Sequence, residues 1–129
     1  MIAPSITPLF AGLLTLVYLF LTFTVIRERG RLSVSLGDGG DPAFERKIRG
    51  HGNFVETVPL ALLLMVLAEL SGAGAGLLYT IGGLLLAGRL VHAWCFIFTA
   101  KNMPARVAGM VMTILAIVIA AGSNLSLAL

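Results

Sequence analysis

Charge is scarce in this chain. Only 12% of its 129 residues are Asp, Glu, Lys or Arg, against 58% hydrophobic, and two stretches, Ser5 to Ile26 and Val107 to Leu129, carry no charge at all. Runs apolar on every side leave a helix no face for water, so the scarcity excludes an ordinary soluble domain and points to a membrane protein. Other shortages narrow the field further. A single cysteine, Cys95, excludes an internal disulfide framework, and two histidines at no ligand spacing, His51 and His92, give no reason to expect a metal site. There is no phosphate loop and no nucleophile triad. Nothing basic precedes Arg27, and the first apolar run is too long for the core of a signal peptide, so it reads as a retained helix.

What is present fills the length with membrane helices. Each uncharged run is long enough to cross a hydrocarbon core about 30 Å thick. Two less clean spans lie between them, one entered through Arg49, Asn53 and Glu56, the other carrying Arg89 and His92. The expected architecture is all-α: a single polytopic domain over residues 1–129, a four-helix transmembrane bundle with helices near 5–27, 42–71, 74–99 and 104–127. Asp41-Pro42 has the form of an N-cap followed by proline at the first helical position. Pro59 is expected to kink the second helix, and the short Gly72 to Gly76 connection makes helices two and three antiparallel neighbours.

The net charge of +3 does not imply nucleic acid, because the basic residues cluster at the ends of membrane segments. Six of the nine lie around the loop after helix one, and Lys101 and Arg106 belong to the same side. The positive-inside rule then places that loop in the cytoplasm and both termini outside.

Arg49, Asn53 and Glu56, spaced i, i+4, i+7, share one helix face, and His51 points away from it. Arg89, His92 and Phe96 share a face of the next helix, with Arg89 roughly 15 Å back from the helix end, too deep for easy snorkelling. Ionisable residues at that depth mark functional sites by default. Two readings stay open: a pocket for a small acidic ligand, whose carboxylates would take arginine forks and whose ammonium would take Glu56, or an ion-pair network that only packs the bundle. Glu69 reads as structural, at the outer headgroup level; Trp94 and Tyr79 read as interfacial anchors or packing residues, Cys95 as a small core residue.

Two motifs, Arg49-x-His-x-Asn53-x-x-Glu56-Thr57 with Pro59, and Gly88-Arg89-x-x-His92 followed by Pro104-x-Arg106, resemble the membrane-associated proteins in eicosanoid and glutathione metabolism, the MAPEG family, across essentially the whole chain. The flanking residues look most like its bacterial inner-membrane branch. The resemblance implies a homotrimer that binds glutathione as co-substrate near the cytoplasmic side, with a lipophilic small molecule arriving through membrane lipid. It implies that Arg49, Asn53, Glu56, Arg89, His92 and Arg27 bind glutathione, Arg29 less directly, and that Arg106 is the catalytic thiolate stabiliser. Phe96 departs from the tyrosine of eicosanoid-making members, Val107 from a serine of one branch, and Gly52 from an additional arginine.

The expected function is therefore a glutathione-dependent transferase or peroxidase acting on a lipophilic electrophile or lipid hydroperoxide. The alternative is a non-catalytic lipid-binding or scaffold protein of the same family, which the missing hydroxyls at Phe96 and Val107 favour. A small multidrug exporter would need an acid inside helix one, and none occurs before Glu28.

Overall fold

In the computed structural model, which describes residues 3–129, four helices follow one another: α1 (Ile6–Leu32), α2 (Pro42–Leu70), α3 (Ala75–Phe98) and α4 (Met103–Ala128). All four are long and apolar enough to cross a membrane. Large apolar side chains such as Leu16, Phe23, Leu63 and Val118 cover the outside of the bundle, a surface suited to lipid in place of water.

The inward faces follow helical spacing. Phe54, Val58, Ala61, Met65 and Ala68 of α2 alternate steps of four and three and are all buried. α4 turns a stripe of small residues inward, Gly109, Thr113, Ala116 and Ala120, and packs it against α3. At the closest approach a Cβ on Gly88 would stand 2.8 Å from the Gly109 carbonyl oxygen, and one on Gly109 2.9 Å from that of Gly88. Such backbone-to-backbone proximity is how helices associate where lipid removes the hydrophobic drive between them. Near the other end, the Phe10 ring lies over Gly82.

α1 continues five residues past the expected end at 27, through the whole Arg27-Glu-Arg-Gly-Arg31 segment. Glu28 explains the extension. It is buried, accepting from Arg31 at 2.7 Å one turn on and meeting Lys47 of α2 at 3.1 Å, so the charged turn is held against the bundle. The helix stops at Ser33, which adopts the left-handed conformation (φ 54°) as the amides of Ser33 and Val34 return to the carbonyls of Gly30 and Arg29. Asp41 caps α2 as expected, its carboxylate accepting from the amides of Ala43 and Phe44. α2 runs unbroken through Pro59, so the proline does not divide the helix, and Thr57 Oγ1 donates to the Asn53 carbonyl on the preceding turn at 2.8 Å.

Glu69 has the structural role expected of it. It is buried, 6% exposed, and its two carboxylate oxygens accept the amides of Ser5, Ile6 and Thr7 at 2.7–2.8 Å. Ser5 makes no side-chain cap of its own, so the start of α1 is capped by the end of α2.

Candidate functional site

Arg89 is the charge the fold encloses most completely, at 1% exposure. Its guanidinium makes five hydrogen bonds, matching its five N–H donors. Nε donates to Thr113 Oγ1 at 2.9 Å, Nη1 to Asn53 Oδ1 at 2.6 Å and Thr57 Oγ1 at 3.4 Å, and Nη2 to the Gly109 carbonyl at 3.5 Å and Met110 Sδ at 3.4 Å. The side chain therefore ties α2 to α4 through α3. Every acceptor is neutral, and among the described residues no carboxylate pairs with it. The bundle holds a positive charge whose field is not cancelled locally, with no N–H left for a direct bond to a ligand.

Asn53 gains its orientation from that contact. With Oδ1 held by Arg89, the amide nitrogen is the free end, and it makes no hydrogen bond among the described residues. Arg49 and Glu56 lie beside it on α2 but face outward, with side chains 59% and 58% exposed and 3.7 Å between Nη1 and Oε1. Both pass near Gly52, whose missing side chain leaves them room.

His92 and Arg106 meet on Phe96. The His92 ring stacks on Phe96 at a centroid distance of 4.5 Å, and the Arg106 guanidinium carbon stands 4.9 Å from the centre of the same ring. The Phe96 ring thus positions the arginine by cation–π attraction. Gly50 makes this possible, since a Cβ there would come within 2.8 Å of Phe96 Cβ.

Arg27 stands apart from these groups, beside Lys47, Phe20 and Phe98. Arg29 is engaged by the loop, donating to the carbonyls of Ser35 and Gly37 and lying over Phe44. His51 packs the other way, its Nε2 3.1 Å from Thr22 Oγ1 and its ring against Tyr18. No group of three or more His, Cys, Asp or Glu suited to a metal occurs among the described residues. Cys95 is buried, its thiol donating to the Asn102 carbonyl at 3.3 Å.

Thr57, quoted in the sequence only as part of a motif, completes the Arg89 node together with Thr113 and the Gly109 carbonyl, which were not singled out from the sequence. One signal existed: Thr113 is the sole polar side chain between Val107 and Ala121. A lone hydroxyl in an apolar helix opposite a deep arginine is a partner waiting to be named.

These features define a small polytopic membrane protein whose second and third helices share a buried, uncompensated cation with polar groups open beside it. The MAPEG family matches residues 7–126, and this chain belongs to that family. It is also 40% identical over 91 residues to the inner membrane protein YecN of Escherichia coli K12, and equally to YecN of E. coli O6:H1, covering 70% of this chain and 70% of each relative.

Proposed function

We propose that the chain is a glutathione-dependent transferase or peroxidase of the bacterial inner membrane, working as a homotrimer on a lipophilic electrophile or lipid hydroperoxide. The observation that carries this reading is the Asn53–Arg89 bond of 2.6 Å. It leaves the Asn53 amide nitrogen, which makes no hydrogen bond among the described residues, beside an arginine and a glutamate that nothing inside the chain neutralises fully. Glutathione has complementary parts: two carboxylates for Arg49 and the Asn53 amide, and an ammonium for Glu56. Because Arg49 and Glu56 face outward, a neighbouring subunit would close the site over them. The termini lie on the outer side and the site in the cytoplasmic half, as the distribution of basic residues directs.

Arg106 stabilises the thiolate in this reading. A thiol of pKa about 8.5 is mostly protonated at neutral pH, and a neighbouring guanidinium favours its ionised form. The thiolate sulfur forms a bond to the electrophilic carbon as the leaving group departs. With a hydroperoxide it attacks the outer oxygen, the O–O bond breaks, and the alkoxide takes a proton to become an alcohol. A second glutathione then reduces the resulting sulfenic acid to water and glutathione disulfide. Arg106→Leu protein is expected to bind glutathione while losing the ultraviolet absorbance of the bound thiolate; an unchanged thiolate signal would remove Arg106 from the mechanism.

A non-catalytic lipid-binding role is the second reading. It is favoured by an apolar groove of about 300 Å³ between α1 and α2, lined by Tyr18, Phe54, Pro59 and Leu62 among others. Saturable glutathione binding by the purified protein supports the first reading, and its absence at millimolar concentration supports the second.

A further inference from the structure

One stripe of α1 changes character along its length. Leu16, Phe20, Thr24 and Arg27 follow at steps of four, four and three, so they share a face that is apolar at membrane depth and cationic at the basic end of the bundle. Beside this stripe two cavities adjoin, one of about 340 Å³ between α1 and α3 and one of about 430 Å³ that reaches Arg27 and Lys47. Phe20 and Phe98 line both, their rings stacked with 6.3 Å between centroids, so one space passes into the other. We propose that the two form a groove for one anionic phospholipid, an acyl chain lying along the apolar part and the phosphate at Arg27. The inference goes beyond the glutathione reading and holds whether or not that reading does.

Length is the first ground. Eleven residues separate Leu16 from Arg27, which is about 16 Å of helix. Half of a hydrocarbon core about 30 Å thick is nearly the same distance. The groove therefore runs from headgroup level to the middle of the bilayer, the depth of a single leaflet. Leu90 and Trp94 of α3, both exposed, continue its apolar wall.

Charge is the second ground. Arg27 is exposed and forms no ion pair among the described residues. The arginine side-chain hydrogen bonds found among them belong to Arg29, Arg31, Arg46 and Arg89, which leaves the five donors of Arg27 for a ligand. Lys47 contributes less, because it already meets Glu28 at 3.1 Å, although an ammonium has three donors. Basic pockets between membrane helices at this level are the ordinary receptors of acidic headgroups.

The same features select among lipids. A zwitterionic headgroup brings its own cation toward the Arg27 guanidinium, whereas phosphatidylglycerol brings only the opposite sign. A soluble anion would meet the arginine but leave the aromatic and aliphatic walls uncovered.

The full-length protein in a neutral detergent, without glutathione, would be titrated with dioctanoylphosphatidylglycerol, dioctanoylphosphatidylcholine and glycerol phosphate, each followed by the rise in unfolding temperature. The expected result is saturable stabilisation by phosphatidylglycerol at an apparent affinity about tenfold tighter than for phosphatidylcholine, with no response to glycerol phosphate. Arg27→Gln should bring the two lipids to equal affinity, and Arg27→Lys should keep them apart. Without lipid, Arg27→Gln should unfold at the temperature of the parent protein, which separates lost selectivity from lost folding. Phe98→Ala should weaken both lipids alike, since it shortens the wall and leaves the charge. Equal affinity of the parent for the two lipids, a preference that survives in Arg27→Gln, or a response to glycerol phosphate as strong as to phosphatidylglycerol would each overturn the assignment. Failure of both lipids to stabilise the parent would overturn it too, and a loss of oligomeric mass in Phe98→Ala would then give the groove to a second copy of the chain.

Discussion

Glu69 and Glu56 stand on the same helix, about 20 Å apart along its axis, and their surroundings differ in kind. Glu69 is buried with both oxygens engaged by the first amides of α1, so its charge serves as an internal cap. Glu56 faces outward and has one long contact to an equally exposed Arg49. The cations repeat the division, with Arg89 saturated inside the bundle and Arg49 open at its surface. Depth in the sequence is therefore a poor guide to role: the most buried charges hold the helices, and the groups able to receive a ligand are the ones the chain leaves incompletely paired.

The largest expected effect separates the two halves of the Arg89 role. Arg89→Ala removes five hydrogen bonds and leaves a cavity, and it should cost about 3 kcal/mol or more of stability, read from unfolding in mixed micelles. Arg89→Met keeps most of the volume and removes the buried charge, so its cost should be clearly smaller. Both variants should still lose glutathione affinity, because Asn53 is no longer oriented. Full affinity in Arg89→Met would break the division by showing that Asn53 needs no support.

Much of this arrangement was legible in the sequence, and the limits have physical causes. The four helices follow from runs without charge, and the depth of Arg89 from its distance to the nearest helix end. The extension of α1 to Leu32 was hidden because Arg27 to Arg31 resembles a headgroup-level stop, and only the partner Lys47 explains why Glu28 folds inward. Periodicity likewise could not reveal the Glu69 cap, since its partners lie 62 to 64 residues away. Helical spacing put Arg49, Asn53 and Glu56 on one face correctly as a matter of angle. It could not distinguish Asn53, which turns toward Arg89, from Arg49 and Glu56, which turn toward the outside, because all three lie within one narrow wedge.

A second variant sharpens the comparison from the Glu69 side. Glu69→Gln keeps one acceptor oxygen and loses the charge, so three amides at the start of α1 share a weaker partner. The expected cost is about 1–2 kcal/mol, the difference between charge-assisted and neutral hydrogen bonds. Amide hydrogen exchange at Ser5, Ile6 and Thr7 should accelerate while exchange in the middle of α1 stays as it was. Glutathione affinity should not change, and if it fell, Glu69 could no longer be assigned to the cap alone.

The smallest effect on stability is expected at Glu56. Its contact with Arg49 is 3.7 Å long and exposed on both sides, and such pairs contribute about 0–1 kcal/mol. Glu56→Gln should therefore unfold within about 0.5 kcal/mol of the parent protein. Its glutathione affinity should fall about tenfold, the consequence of replacing a charged partner of the ammonium by a neutral one. Arg49→Gln should match it on both measurements. A Glu56→Gln protein that binds glutathione as the parent does, at unchanged stability, would leave Glu56 with neither a structural nor a ligand-binding task, and the partner of the glutathione ammonium would then have to lie elsewhere.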